Sequence, residues 1–130
     1  MGEKLIINCW VIEVLDEKKL KEIERKVPIM VQEEEISKND ENKKLVDFYL
    51  ENASASLNSA RILNEVSSQL NPKKQFPFID DSFEAYLWVI NTSYYSMFYM
   101  AGALLAKEGI KVRSAIGVHK KTFESLVYYV

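Results

Sequence analysis

The fold of this chain is decided by residues 80–109, which read DDSFEAYLWVINTSYYSMFYMAGALLAKEG. Apolar side chains recur in this stretch at spacings of three and four, the pattern of one face of an α-helix. The cluster Asp80-Asp81-Ser82 offers capping oxygens for the start of the helix, and Gly109 suits a left-handed residue at its end. We therefore predict a long helix whose apolar face consists of Phe83, Leu87, Ile90, Tyr94, Met97, Ala101 and Leu104 or Leu105.

A second long helix is predicted over residues 40–70, with Asn71-Pro72 ending it, because proline disfavours helical geometry in the residue before it. Its apolar positions repeat at helical spacing. They are Val46, Leu50, Ala53, Leu57, Ala60, Leu63, Val66 and Leu70. If the two predicted faces form the core, Leu57→Ala or Leu87→Ala should cost about 2–5 kcal/mol of stability.

A third helix is predicted to begin at a Ser114 cap, after a short basic link at residues 110–113. Its apolar face would consist of Ile116, His119, Phe123, Leu126 and Val130. With short connections between them, these elements predict an all-α fold. We expect an antiparallel helical bundle with two long helices and a third C-terminal helix, formed by residues 40–130.

Residues 1–39 are predicted to be an N-terminal extension of uncertain structure. The apolar run at residues 5–15 could be a strand or a short buried helix, and Cys9 within it is typical of a core thiol. Asp16 can cap a short charged helix, which Pro28 should end near Val27. A polar connection at residues 33–42 would then lead into the bundle.

Composition excludes several classes of protein. Hydrophobic residues make up 48% of the 130 residues and charged residues 28%, which excludes wholesale disorder. One cysteine and one histidine exclude a disulfide framework and a zinc or His-rich metal centre, so we expect no metal and no cofactor. A net charge of −2 argues against bulk binding of duplex DNA. No segment has the pattern of a membrane span or targeting signal, so we expect a cytoplasmic protein without a membrane partner.

Basic residues are concentrated in residues 107–121. The segment holds Lys107, Lys111, Arg113, Lys120 and Lys121 against Glu108 alone, a net charge of +4. Such an edge could bind a phosphate or a short RNA. It could equally be a solvated loop and helix end, since basic side chains suit helix C-termini.

Arg113 and His119 are the candidate catalytic pair. Arginine can hold a phosphate by two parallel hydrogen bonds, and histidine can act as a general acid or base near neutral pH. Together they are components of metal-independent RNA cleavage, although a lone histidine on an apolar face can also be purely structural. The aromatic cluster on the long helix could stack on a nucleobase or form core and dimer interface, and it consists of Tyr86, Trp88, Tyr94, Tyr95, Phe98 and Tyr99. Tyr95 and Tyr99 are offset from the apolar stripe and are the better candidates for a role of the side-chain hydroxyl.

Residues 91–119 combine Ser93-Tyr94-Tyr95-Ser96-Met97-Phe98-Tyr99 with Ala103-Leu104-Leu105, Gly109 and a histidine that opens the next helix. In this combination the segment resembles the HEPN family of small prokaryotic helical proteins. Residues 40–130 are similar to the first three helices of that domain, and we expect the later helices to be absent.

The resemblance implies a homo-oligomer that binds a nucleotide, an RNA or a nucleotidyltransferase-type partner, often within a toxin–antitoxin pair. On this basis the ligand-binding residues would be Tyr95, Tyr99, Lys107, Lys111, Lys120 and Lys121. Active relatives resemble one another in an arginine and a histidine a few residues apart at a dimer cleft. Arg113 and His119, with five residues between them, fit that spacing. The alternatives are therefore a binding module, an RNase toxin, or a divergent or truncated structural member without catalytic activity.

Overall fold

The computed structural model describes residues 15–113 and 116–130, and it has the predicted all-α architecture with a small two-stranded sheet. The expectations for residues 5–14, including Cys9, and for Ser114 as a cap lie outside the described residues. The elements in chain order are α1 Glu17–Gln32, β1 Ile36–Lys38, a 3-10 helix Asp40–Leu45, α2 Val46–Ser68, α3 Leu70–Lys73, α4 Tyr86–Lys107, β2 Ile110–Val112 and α5 Val118–Tyr129.

Helices α2 and α4 are the two long helices, and they pack along each other. The contacts that fix their direction are Tyr49 with Gly102, Ala53 with Ser96, and Ser67 with Ala85. Residue numbers rise along α2 as they fall along α4, so the two helices are antiparallel. The predicted bundle of two long helices and a C-terminal helix is confirmed.

Small residues line the contact between α2 and α4. Ala53 and Ala60 are buried on α2, and Ala103 and Ala106 are buried on α4. Small side chains let two helix backbones approach closely. The larger Leu57 is left at the edge of the contact, where it is 40% exposed, so its predicted place in the core is wrong.

The predicted apolar face of α4 also points away from α2. Leu87 is 69% exposed, and Ile90 and Met97 are similarly exposed, whereas Leu105, one of the two alternatives predicted, is buried. The helix is apolar on nearly every side, so helical spacing alone could not decide which side faces α2. The expected cost of 2–5 kcal/mol therefore does not apply to Leu57→Ala or Leu87→Ala, because exposed positions contribute about 0.5 kcal/mol or less to the stability of the protomer.

The predicted capping residues are found at some helix ends and not at others. The Lys19 N–H donates to Asp16 Oδ1 over 2.7 Å, which confirms the cap of α1, and Gly109 is left-handed with φ +75°. Helix α4 begins at Tyr86 and not at the Asp80 cluster, because Asp80 accepts hydrogen bonds from Ser82 in a local turn instead.

Pro28 does not end α1, which continues to Gln32. A proline inside a helix removes one hydrogen bond and costs about 3 kcal/mol. Val27 and Met30 lie on either side of it and are almost fully buried. Burial of these side chains favours continuation of the helix and offsets the cost of the proline.

The sheet was not predicted from the sequence. Strands β1 and β2 are antiparallel, with Ile36 opposite Val112 and Lys38 opposite Ile110. Residues 33–42 and 110–113 were expected to be polar or basic connections, yet both strands place a buried isoleucine in the core. The core cluster comprises Ile23, Val27, Met30, Ile36, Leu105 and Ile110, so α1 and β1 share it with α4 and β2.

Helix α5 buries a polar face. Thr122, Glu124 and Ser125 are buried, whereas Ile116 is 97% exposed and Phe123 is also exposed. The predicted apolar face is therefore wrong except at Leu126, which packs against the core cluster. The Lys26 ammonium on α1 donates to Glu124 Oε1 over 2.8 Å. This pairing allows a carboxylate to be buried between α1 and α5.

The ion pair between Lys26 and Glu124 is expected to contribute measurably to stability. Lys26→Met should lower the free energy of unfolding by about 1–3 kcal/mol, because it leaves the buried Glu124 carboxylate without its closest partner. Lys21→Met is the matched control, since Lys21 pairs with Glu17 at the exposed surface and should change stability by less than about 0.5 kcal/mol. Urea denaturation measures both, and equal losses would contradict the assignment.

Candidate functional site

A cleft of about 360 Å³ opens between α4, β2 and the start of α5. Four of the residues singled out in the sequence line it: Tyr95, Lys111, Arg113 and His119. The other lining residues are Tyr49, Phe98, Gly102, Leu105, Ile110, Val112, Val118 and Thr122. The cleft is therefore apolar and aromatic inside, with basic side chains contributed by β2 and its end. Its volume is in the range of small-molecule sites.

An aromatic wall forms one side of the cleft. The His119 ring lies 4.5 Å from the Phe98 ring and 6.0 Å from the Tyr95 ring, centroid to centroid. Tyr99 is not among the lining residues and stands behind this wall, with its ring 6.3 Å from Tyr95 and 6.5 Å from Tyr49. Tyr95 is thus placed to contact a ligand, and Tyr99 supports it.

Strand β2 and the residue that follows it place two cationic side chains at the cleft. Lys111 lies in the middle of the strand, and the Arg113 N–H extends the ladder by donating to the Glu35 carbonyl over 2.9 Å. The Arg113 guanidinium lies 3.5 Å from the Glu34 carboxylate, and both side chains are largely exposed. Such an exposed pair is weak, so the guanidinium can exchange Glu34 for a phosphate at low cost.

The other predicted basic residues lie outside the cleft. The Lys121 ammonium is 2.5 Å from Glu35 Oε1 and mostly buried, so it has a structural role in fastening α5 to the turn before β1. Lys120 lies 3.8 Å from Glu124, and Lys107 is exposed at the end of α4. The structure brings Lys111 and Arg113 together and leaves Lys107, Lys120 and Lys121 elsewhere.

The start of α5 adds a positive end to the cleft. Its N-cap is Gly117, in a left-handed conformation with φ +80°, which has no side chain to cap the first turn. Val118 and His119, the first two residues of the helix, line the cleft. The helix dipole and the N–H groups of the first turn at this end favour an anion.

Tyr49 and Gly102 are site residues that the sequence analysis missed. Tyr49 comes from α2, and its ring lies flat against the bare backbone of Gly102 on α4. Burial, together with the neighbouring Tyr99, raises the pKa of the Tyr49 hydroxyl above its ordinary value, so the phenol stays protonated and can donate a hydrogen bond. Nothing in the local sequence links residues that are 53 positions apart.

A wider depression of about 930 Å³ lies along α1. It is lined mainly by acidic and basic side chains of that helix and its cap, together with one apolar residue: Asp16, Glu17, Lys18, Lys21, Glu22, Arg25, Lys26 and Ile29. All of these residues lie on one helix or its cap, and their positive and negative charges partly cancel. The depression therefore does not bring side chains from several elements together around one ligand, as the cleft does.

Comparison of the chain with protein-family models, with curated proteins and with solved structures finds no match. Over residues 15–113 and 116–130, no three His, Cys, Asp or Glu side chains are grouped so that they could hold a metal ion. Within the same ranges, no helix has the length and apolar character needed to cross a membrane.

The packing of Tyr49 against Gly102, two residues that line the cleft, can be tested by mutation. A methyl group at residue 102 would lie 3.0 Å from two carbons of the Tyr49 ring and push it aside. We expect Gly102→Ala to cost about 1 kcal/mol in the native background. In a Tyr49→Ala background the same change should stabilise by up to about 1 kcal/mol, because alanine is the better helix former. Chemical denaturation of the four proteins measures this, and the same sign in both backgrounds would contradict the contact.

Proposed function

We propose that this protein is a nucleotide- or RNA-binding module whose ligand occupies the cleft between α4, β2 and α5. The observation that carries the proposal is that Lys111, Arg113, His119 and the Tyr95 ring line one cleft of about 360 Å³. Each residue type suits one part of a nucleotide, and the four come from three different elements.

The phosphate would lie at the β2 side of the cleft. Arg113 would bind it with two parallel hydrogen bonds, and Lys111 would add a second positive charge. The N-terminal end of α5 contributes in the same direction, because helix N-termini favour anions. Release of Arg113 from its exposed pair with Glu34 is the expected change on binding.

The base would lie against the aromatic wall. Tyr95 and Phe98 offer faces and edges of the kind on which bases stack, worth about 1–3 kcal/mol per base. The protonated hydroxyl of Tyr49 could donate a hydrogen bond to a base or sugar oxygen. A base that stacks here must be free of a double helix, which favours a mononucleotide or single-stranded RNA.

The resemblance of residues 91–119 to the HEPN family supports the same proposal. It also suggests the setting, a toxin–antitoxin system or an association with a nucleotidyltransferase-type protein. In such a setting, the cleft would be the part of this chain that binds the nucleotide.

Ligand binding is tested by calorimetric titration of nucleotides and short single-stranded RNAs at low salt. Arg113→Ala should weaken binding by about 10- to 100-fold, because it removes a charge-assisted contact to phosphate. Arg61→Ala is the matched control, since Arg61 is an exposed arginine on α2, outside the cleft, and should leave affinity unchanged. Wild-type protein that binds neither ligand class, or equal losses in the two variants, would refute the proposal.

A second candidate function is RNA cleavage without a metal ion, favoured because Arg113 and His119 line the same cleft. Arg113 would hold the scissile phosphate. His119 would take the proton of a 2′-hydroxyl as its oxygen attacks phosphorus and the bond to the 5′-oxygen breaks. The proton taken up by His119 would pass, directly or through water, to the departing 5′-oxygen. The products would be a 2′,3′-cyclic phosphate and a 5′-hydroxyl, and the reaction needs no further reactant.

Cleavage is tested by incubating the purified protein with labelled single-stranded RNA. If the second function holds, His119→Ala should lower the rate at least about 100-fold, the usual contribution of a general acid or base. Arg61→Ala again serves as the control. RNA left intact by the wild type, or cut equally fast by His119→Ala, would reject the enzyme and leave the binding module.

A further inference from the structure

A second cavity, of about 230 Å³, lies between α1 and α5 and shares no lining residue with the ligand cleft. Leu15 lines it, together with one lysine, one glutamate and one apolar residue from each helix. The residues of α1 are Lys19, Glu22 and Ile23, and those of α5 are Lys120, Phe123 and Glu124. Both triplets have the spacing i, i+3 and i+4, which places each of them on one face of its helix. The cavity therefore combines both signs of charge with an apolar wall.

Glu124 is the buried acid of this cavity. Its side chain is 6% exposed, and Oε1 accepts a hydrogen bond from the Lys26 ammonium over 2.8 Å. The other oxygen, Oε2, is buried and accepts no hydrogen bond from the residues that the structure describes. A buried polar atom without a partner is rare and destabilising. A ligand in the cavity that donates a hydrogen bond to this carboxylate would therefore be favoured.

The charges that line the cavity favour a ligand with one charge of each sign. Two carboxylates and two ammonium groups line it, so a ligand with a single charge would meet as many like charges as opposite ones. Lys120 lies 3.8 Å from Glu124, and its side chain is 70% exposed. Such a pair is weak, so the Lys120 ammonium can contact an anionic group of a ligand at low cost.

The volume of the cavity limits the size of the ligand. Each non-hydrogen atom needs roughly 20–30 Å³, the order of a water molecule's share of liquid volume, so the cavity holds on the order of ten such atoms. A nucleotide is larger than that, so this is not a second nucleotide site. Ile23 is buried and Phe123 is 45% exposed, and both offer apolar surface to part of a small ligand.

We propose that the cavity between α1 and α5 binds a free apolar α-amino acid of the size of leucine or phenylalanine. The α-ammonium group would donate to the Glu124 carboxylate, and the α-carboxylate would accept from the Lys120 ammonium. The apolar side chain would pack against Ile23 and Phe123. Such a ligand carries both charges and the apolar group that the cavity matches, and its site is separate from the nucleotide cleft.

The test is calorimetric titration of the full chain with L-leucine. The wild type should bind it saturably, with a dissociation constant between about 1 μM and 1 mM, the range expected for a ligand of this size. N-acetyl-L-leucine lacks the ammonium group and L-leucinamide lacks the carboxylate, so each should bind at least about 10-fold more weakly. Absence of L-leucine binding would overturn the proposal, as would either analogue binding as tightly as L-leucine.

Glu124→Gln tests the contact with the ammonium group. It should weaken L-leucine at least about 10-fold and leave the weaker binding of N-acetyl-L-leucine unchanged, because only L-leucine has the ammonium group. Glu17→Gln is the matched control, since Glu17 is an ion-paired glutamate of α1 outside the cavity. Equal weakening of both ligands by Glu124→Gln, or an equal loss in Glu17→Gln, would contradict the assigned contact.

Phe123→Ala tests the apolar wall without touching a buried charge. It should weaken L-leucine about 10-fold, because apolar contact with the ligand is lost. Phe48→Ala is the matched control, since Phe48 is 54% exposed on α2 and lies outside the cavity. An unchanged affinity in Phe123→Ala, or the same loss in Phe48→Ala, would contradict the placement of the ligand. Phe123 does not line the ligand cleft, so nucleotide titration of Phe123→Ala separates failure here from failure of the proposed function.

Discussion

Glu35 joins β2 and α5, two of the three elements that form the candidate cleft, to the end of α1. Its N–H donates to the Met30 carbonyl at the end of α1, and its carbonyl accepts the Arg113 N–H at the end of β2. Its carboxylate binds the Lys121 ammonium of α5. Because Arg113 makes one of these bonds and His119 stands two residues before Lys121, Glu35 helps to hold the strand and the helix of the cleft in place.

A second constraint comes from the composition of α4. One side of this helix uses small residues to approach α2, and the wall with Tyr95 and Phe98 faces the cleft. A further side of the helix carries Leu87, Ile90 and Met97, which are largely exposed. The same helix therefore supplies both the contact with α2 and one wall of the cleft, and changes on each side can be tested separately.

The sequence predicts the fold class, the two long helices and their approximate extent, because these rest on local spacing and, at the end of α4, on Gly109. It also selects Tyr95, Lys111, Arg113 and His119, which the structure places around one cleft. It does not predict which sides of the helices are buried. Helix α4 is apolar on nearly all sides, and α5 buries Glu124 through a partner, Lys26, that is 98 residues away.

The β1–β2 ladder and the Tyr49–Gly102 contact were missed for the same reason. Each depends on residues that are distant in sequence, and three-residue strands are too short to show an alternating pattern. The continuation of α1 through Pro28 likewise depends on burial of its neighbours. Local rules thus identify the chemistry of the site, while long-range packing decides its geometry.

The most direct test of the ligand cleft uses the single histidine of the chain. The imidazole protons of His119 give one unambiguous set of signals in a proton NMR spectrum. During titration with a nucleotide at constant pH, these signals should shift progressively and saturate, because the ligand would lie within contact of the ring. Signals that stay unchanged while calorimetry shows the nucleotide to be bound would place the ligand elsewhere and contradict the assignment of this cleft.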